Sequence, residues 1–187
     1  METKRSLWGK WGTKTVVATA LGAALFLVLF FYVKVPSPVS NTNFQIAYGL
    51  TTFFGALFGP ISGFLVGFVG HALNDALTGY GVWWSWVIAS GVAGFISGLA
   101  YKTFDLDHGE KPGIWFFVLN IVAHLIAWWI IAPGLDVLIY SESPSYVFLV
   151  QGPVAFVIDC VSALVVGSIL VYAYSATRSH KDSLDKE

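Results

Sequence analysis

The residues best suited to binding chemistry stand between Gly70 and Gly91, in a stretch flanked by two long apolar segments. His71, Asn74 and Asp75 have the i, i+3, i+4 spacing that places side chains on one face of a helix. A glycine-containing turn follows them, and then an aromatic cluster: Trp83, Trp84 and Trp86. Such groups can bond a ligand beside surfaces that bury it. The alternative is structural, because tryptophans often mark a lipid–water interface and a His–Asp pair often only packs.

Motifs for catalysis are absent from the sequence. It contains no HExxH zinc-protease pattern, no GxSxG nucleophile turn and no Walker A loop. The single cysteine, Cys160, lies in an apolar segment, so a disulfide framework and a thiolate metal site are excluded. The sequence predicts a non-enzymatic protein with neither catalytic residues nor metal ligands.

The composition is that of a membrane protein. Of the 187 residues, 56% are hydrophobic and 11% are charged, and the mean hydropathy is +0.71. Soluble domains carry about 25% charged residues. The net charge of −1 gives no basic footprint for nucleic acid. We therefore predict an integral membrane protein embedded in the lipid bilayer.

Apolar segments and helix breakers divide the chain into six predicted helices. Gly59-Pro60 and Pro133-Gly134 mark two of the breaks between apolar runs, since proline fits the first turn of a helix but ends a preceding one. The predicted helices span residues 15–33, 45–58, 60–77, 83–101, 113–132 and 153–174. The fold prediction is all-α: a bundle of six transmembrane helices over residues 15–175, with tails at 1–14 and 176–187, the second of them frayed.

Basic residues predict the orientation of this bundle. The N-terminal tail holds four Lys or Arg residues, loop 102–112 two and the C-terminal tail three, whereas the opposite face holds only Lys34. Positive residues accumulate on the cytoplasmic side. Both termini are therefore predicted to be cytoplasmic, and the tryptophan cluster to lie at the outer surface.

Small residues spaced four apart predict close helix contacts. Helix three carries Gly59, Gly63 and Gly67, and helix four repeats the pattern from Ser90 through Gly94 to Gly98. Such ridges let backbones approach closely, so helices three and four should form a tight hairpin. Ala20 and Ala24 form a similar pair in helix one, which suits packing either within the chain or against a partner.

Further polar residues at membrane depth predict an outward-facing cavity, because ionisable groups there usually face the bundle interior. These polar residues include Asn120, His124 and Asp159. In helix three, Asp75 is expected to accept a hydrogen bond from His71 and so to position the turn that follows. A proton relay through His71, Asp75 and Asp159 in a small secondary transporter is the alternative. The six helices show no convincing inverted repeat that would support it.

The stretches GHALND and WWSWVIASG, with the Ala20-to-Ala24 segment ALGAA, resemble the S components of energy-coupling-factor (ECF) vitamin transporters. The resemblance covers about residues 13–175 and is closest to the branch that includes the cobalamin-specific S component. It implies a membrane subunit in the bacterial plasma membrane that binds its vitamin from outside. It also implies docking, through Ala20 and Ala24, on a membrane scaffold (T) subunit that carries two ATP-binding cassette ATPases.

The resemblance places the ligand among the outer loops and outer helix ends, where amide and aromatic side chains suit a corrinoid. Cobalamin is expected as the transported substrate rather than as a cofactor, and another vitamin is the alternative. The predicted substrate-binding residues are Asn41, Asn43, Gln45, Tyr48, His71, Asn74, Asp75, Tyr80, Trp83, Trp84, Trp86, His124, Trp128, Tyr140 and Tyr146.

Overall fold

Helices dominate the computed structural model, which describes residues 6, 8–9, 11–79 and 81–184 and is 79% helical. Two of the six helical rods contain a π-turn between α-helical segments. The rods are α1 (Thr13–Tyr32), α2 (Tyr48–Phe58), α3 (Pro60–Thr78), α4 (Trp84–Gly98), α5 (Ile114–Ile126, π-turn Ala127–Ile131, Ala132–Tyr140) and α6 (Pro144–Tyr146, π-turn Val147–Gln151, Gly152–Leu184).

In the part of the chain that the structure describes, four helical spans are long and apolar enough to cross a bilayer: Thr13–Tyr32, Trp84–Lys102, Ile114–Tyr140 and Pro144–Arg178. The class of an all-α membrane protein is therefore supported. Helix α2 has 11 residues, well below the roughly 20 that a crossing needs. Six crossings and cytoplasmic termini stay predictions.

The connections alternate between two ends of the bundle. At one end, Ser175 Oγ donates to the Gly109 carbonyl at 2.6 Å, and the backbone at Gly9 packs against that of Phe58. This terminal end thus holds the segments near both termini and loop 103–113. The opposite end, termed the cavity end, holds connections 33–47, 79–83 and 141–143.

Helices α3 and α4 pack on their small-residue ridges, as predicted. A Cβ atom added at Gly63 would collide with the backbone of Gly94, and one at Gly67 would lie 2.5 Å from the Ser90 carbonyl oxygen. Gly98 meets the Pro60 backbone in the same way. No side chain fits between these backbones, so the glycines define the depth of the hairpin.

Helix α1 turns one face to α3 and leaves another uncovered. Gly22 and Ala23 are buried, and Thr19 Oγ1 lies 2.7 Å from Ser62 Oγ across the α1–α3 contact. Ala20 and Ala24 are exposed on the opposite face. Packing within the chain therefore does not explain this pair, which leaves contact with a partner or with lipid.

Two predicted helix boundaries are wrong, both beside proline. Helix α5 continues through Pro133-Gly134 to Tyr140, and α6 begins at Pro144 rather than near Pro153. In each case a five-residue π-turn ends two residues before the proline. The i→i−5 bonding absorbs the missing N–H and the ring clash that would break an α-helix.

Smaller corrections concern the connections. The predicted polar connection 34–44 contains an antiparallel hairpin of β1 (Lys34–Pro36) and β2 (Asn43–Gln45), so α2 begins at Tyr48. The C-terminal tail is not frayed where described, because α6 continues to Leu184. The basic residues Lys4, Arg5 and Lys10 of the N-terminal tail lie outside the described residues.

Candidate ligand-binding site

A cavity of about 580 Å³ opens at the cavity end of the bundle. Its wall combines amide, carboxylate and aromatic side chains from the β-hairpin and all six helices. The lining residues are Phe30, Lys34, Asn41, Thr42, Asn43, Gln45, Tyr48, His71, Asn74, Asp75, Thr78, Gly81, Trp83, Trp86, Asp136, Glu142, Tyr146, Gln151, Ala155 and Asp159. This volume lies within the roughly 300–1,000 Å³ of small-molecule sites.

The β-hairpin supplies the amide side chains. Because side chains alternate across a strand, Asn43 and Gln45 share the face that lines the cavity, whereas Phe44 is 51% exposed on the other. Asn41 adopts a left-handed backbone (φ 57°) in the turn between the strands. Gln45 Nε2 donates to Asp159 Oδ1 at 3.5 Å, which connects the hairpin to α6.

Ser90 joins two of the predicted residues at the cavity wall. His71 Nδ1 lies 2.6 Å from Ser90 Oγ, and the hydroxyl of Tyr48 lies 2.9 Å from the same atom. The ring of Phe30 packs on the imidazole, with centroids 4.6 Å apart. These contacts hold His71 and Tyr48 in place, and Ser90 is where α4 meets the backbone of α3 at Gly67.

Asp75 positions the turn between α3 and α4, as expected, but with different donors. Its Oδ2 accepts from the backbone N–H of Trp83 at 3.0 Å and its Oδ1 from Asn74 Nδ2 at 3.1 Å. His71 Nε2 lies 3.5 Å from Oδ1. The expected pair is therefore adjacent through Nε2, while the shorter hydrogen bond of His71 is made to Ser90 by its other ring nitrogen, Nδ1.

Asp136 is a residue that sequence reasoning missed. It is 1% exposed, and its carboxylate accepts from Trp83 Nε1 at 2.7 Å, Trp86 Nε1 at 2.8 Å and Ser85 Oγ. Hydrogen bonds to a charged group are about twice as strong as neutral ones. Trp83 and Trp86 of the tryptophan cluster thus bind α5 as well as lining the cavity. The available signal was the need of buried indole N–H groups for an acceptor.

Ten of the predicted substrate-binding residues line this one cavity: Asn41, Asn43, Gln45, Tyr48, His71, Asn74, Asp75, Trp83, Trp86 and Tyr146. They come from four separate parts of the chain. Their contact with a ligand stays a prediction. Asp159, expected at membrane depth, lines the cavity as well.

Four predicted residues do not line it, and Tyr80 lies outside the described residues. His124 and Trp128 are fully buried behind Tyr48, whose ring packs on that of Trp128 at 5.0 Å. Trp84 donates its backbone N–H to the hydroxyl of Tyr140 at 2.9 Å at the rim. Helix periodicity predicts the position of these residues along the helix axis, but it does not determine which face of each helix meets the cavity.

The arrangement can capture a molecule but carries no catalytic constellation. Within the described ranges, no group of three His, Cys, Asp or Glu side chains could hold a metal ion. The cavity instead offers flat aromatic walls with hydrogen-bonding groups at several heights. This is the usual construction of a small-molecule binding site.

Comparison with known proteins adds independent information. The family model described as "ECF-type riboflavin transporter, S component" matches residues 10–176. No solved structure matches the chain.

Several curated relatives carry the name UPF0397 protein. One from Lactobacillus acidophilus is 42% identical over 93% of this chain and 95% of its own length. One from Lactobacillus gasseri is 44% identical with the same coverage, and one from Lactococcus lactis subsp. lactis is 42% identical over 93% and 97%.

Proposed function

The chain belongs to the family of ECF-type riboflavin transporter S components, and from this premise we propose that its cavity captures a flat vitamin on the outer side of the membrane. S components are non-catalytic subunits. The hydrolysis of ATP would therefore reside in partner subunits.

The observation that carries the proposal is the cavity of about 580 Å³ at the end of the bundle opposite the termini. Tyr48, Trp83 and Trp86 provide aromatic surface, and the β-hairpin provides side-chain amides. A flat ring system with polar edges would be bound by both. The Asp75 and Asp136 networks hold the start of α4 against α3 and α5, which favours a preformed site.

Two vitamins are the candidates. The sequence resemblance favours cobalamin or a related corrinoid, whose peripheral amides suit Asn41, Asn43 and Gln45. The family description favours riboflavin, and the volume favours a ligand of that smaller size, since pockets of roughly 300–1,000 Å³ bury most of a drug-sized molecule. A corrinoid would project from the mouth of the cavity.

We further propose that the uncovered face of α1 docks on the membrane scaffold subunit that carries two ATPases. Ala20 and Ala24 are exposed there and offer a smooth surface against which another helix can slide. Assembly of this kind is a general property of the family. The bacterial sources of the relatives favour the plasma membrane.

Equilibrium binding to the detergent-purified chain tests the ligand. Binding of riboflavin is measured by quenching of its fluorescence, and binding of cyanocobalamin by equilibrium dialysis. Each affinity is compared with that of a Trp86→Ala variant, which removes one wall of the cavity. Saturable binding of either vitamin, weakened at least tenfold in the variant, supports the proposal. Co-purification of the tagged chain with a scaffold protein and two ATPases tests the assembly, and failure of both would refute it.

Accessible cysteines test the outer location of the cavity. In a Cys160→Ser background, Ser40→Cys and Ser143→Cys lie in cavity-end connections, whereas His108→Cys lies at the terminal end. An impermeant maleimide added to sealed cells should label the first two only. Labelling at position 108 would reverse the orientation.

A proton-coupled secondary transporter through His71, Asp75 and Asp159 is the alternative function. All three line the cavity, but His71 and Asp75 are engaged in local contacts. Uptake that persists in cells lacking the ATPases and stops with a protonophore would favour this alternative.

A further inference from the structure

Carboxylates outnumber cations in the cavity wall. Among the described residues, Asp75, Asp136, Glu142 and Asp159 line it, against Lys34 as the one cation. Their environments differ. Asp136 has three strong donors, whereas the described polar contact of Asp159 is one 3.5 Å hydrogen bond from Gln45, and no salt bridge to it occurs in the described part of the chain.

Asp159 is nevertheless buried, with 4% of its surface exposed. A carboxylate removed from water needs donors or a cation to compensate for the lost hydration. A hydrogen bond at 3.5 Å is at the outer limit of useful geometry. The protein fold therefore leaves Asp159 under-bonded at the wall of the cavity.

Two amide side chains are oriented by these carboxylates so that their oxygens remain unbonded. Gln45 donates its NH₂ group to Asp159, and Asn74 donates its NH₂ group to Asp75. The oxygens Gln45 Oε1 and Asn74 Oδ1 are buried and have no hydrogen-bond partner among the described residues. Flipping either amide would place its oxygen against a carboxylate, so the orientation is determined by charge.

Each pair, Gln45 with Asp159 and Asn74 with Asp75, therefore places a carboxylate and an unbonded amide oxygen at the wall of the same cavity. Asn74 is 3% exposed, and its unbonded oxygen is a second indication, besides the charge count, of a missing donor. Such atoms are costly to bury unless a ligand supplies the missing donors. Acceptors and negative charge together also repel an anion.

We propose that the site selects a ligand that directs N–H or O–H donors toward Asp159 and Asn74 and rejects anionic forms of the same ligand. This inference rests on the proposed function and specifies its substrate class: a neutral or cationic vitamin with hydrogen-bond donors, not its phosphorylated or carboxylate form. Riboflavin and cobalamin both carry such donors.

The charge preference is tested with matched ligand pairs on the purified full-length chain. The pairs are riboflavin with flavin mononucleotide, and cyanocobalamin with its derivative in which one side-chain amide is hydrolysed to a carboxylate. For whichever vitamin binds, we expect the anionic member of its pair to have an affinity at least tenfold lower. Asp159→Asn should reduce this difference in affinity. Equal affinities within a pair would overturn the inference and leave the proposed function intact.

A second measurement does not depend on knowing the vitamin. If the carboxylate of Asp159 serves a ligand and not the fold, Asp159→Asn should leave the Tm of the ligand-free protein unchanged or raise it, since function often retains such strained groups. Asp136→Asn is the matched control and should lower the Tm, because Asp136 already has its donors. A similar loss of Tm in both variants would overturn the inference even if neither vitamin binds.

Discussion

The carboxylate of Asp136 should stabilise the cavity end more than any neutral hydrogen bond there. It is 1% exposed and accepts from two indole N–H groups and one hydroxyl. Asp136→Ala would leave three donors without their acceptor. Leaving a buried donor unpaired costs about 1–3 kcal/mol, so we expect the loss of three such bonds to lower the unfolding free energy by about 4 kcal/mol.

Single donors can be removed one at a time with a matched control. Trp83 donates to the Asp136 carboxylate at 2.7 Å and is 37% exposed, whereas Trp129 donates to the neutral Phe148 carbonyl at 3.0 Å and is 40% exposed. Trp83→Phe should cost about 1.5–3 kcal/mol and Trp129→Phe about 0.5–1.5 kcal/mol, since only the first bond is to a charged group.

The assay is equilibrium unfolding of the purified protein in mixed micelles, titrated with sodium dodecyl sulfate and followed by circular dichroism. A double-mutant cycle with Trp83→Phe and Asp136→Ala isolates their coupling. We expect the double variant to lose little more than Asp136→Ala alone. Additive losses, or an Asp136→Ala loss below about 1 kcal/mol, would show that the indoles find other acceptors and would refute the reasoning.

Three further outcomes are expected. Ala24→Trp should abolish co-purification with the scaffold but retain ligand binding, because bulk on the uncovered face of α1 holds a partner helix away. Val161→Trp, on another exposed face, should leave co-purification intact, and equal effects of the two substitutions would mean that α1 is not the docking face. Gly94→Ala should destabilise the chain by about 1–3 kcal/mol in the same micelle assay, since its Cβ meets the Gly63 backbone, whereas Gly134→Ala, with open space around it, should be neutral or stabilising. His71→Ala should weaken ligand binding without shifting the absorption spectrum of any bound cobalamin, and the spectra are recorded with the original chain and with the variant. A spectral shift on binding that disappears in the variant would show that the imidazole ligates cobalt.

Local patterns predicted the parts of this protein that depend on near neighbours in the chain. The i, i+4 ridges predicted that α3 and α4 pack backbone to backbone, and the structure has Gly63 against Gly94. The spacing of His71, Asn74 and Asp75 placed all three on one helix face, and all three line the cavity. These results follow from helix geometry, which repeats over a few residues.

Prolines account for the two wrong helix boundaries. Proline predicts a helix end at Pro133 and a helix start near Pro153, yet α5 and α6 continue past these residues through π-turns. A π-turn is stabilised by the packing of its surroundings and has no strong sequence signal of its own. The same extension brings Asp136 and Gln151 to the cavity wall, where a loop was expected.

What the sequence alone determined is the membrane class, the register of the small-residue ridges and the level of the polar groups along each helix. All three depend on composition and on a period of 3.6 residues. Only the tertiary structure decided which groups meet. Asp136 joins Trp83 and Trp86, and Gln45 joins Asp159, across tens to more than a hundred residues of chain. Those pairings arise from how rods rotate and tilt as their cores pack, and local spacing carries no information about that rotation.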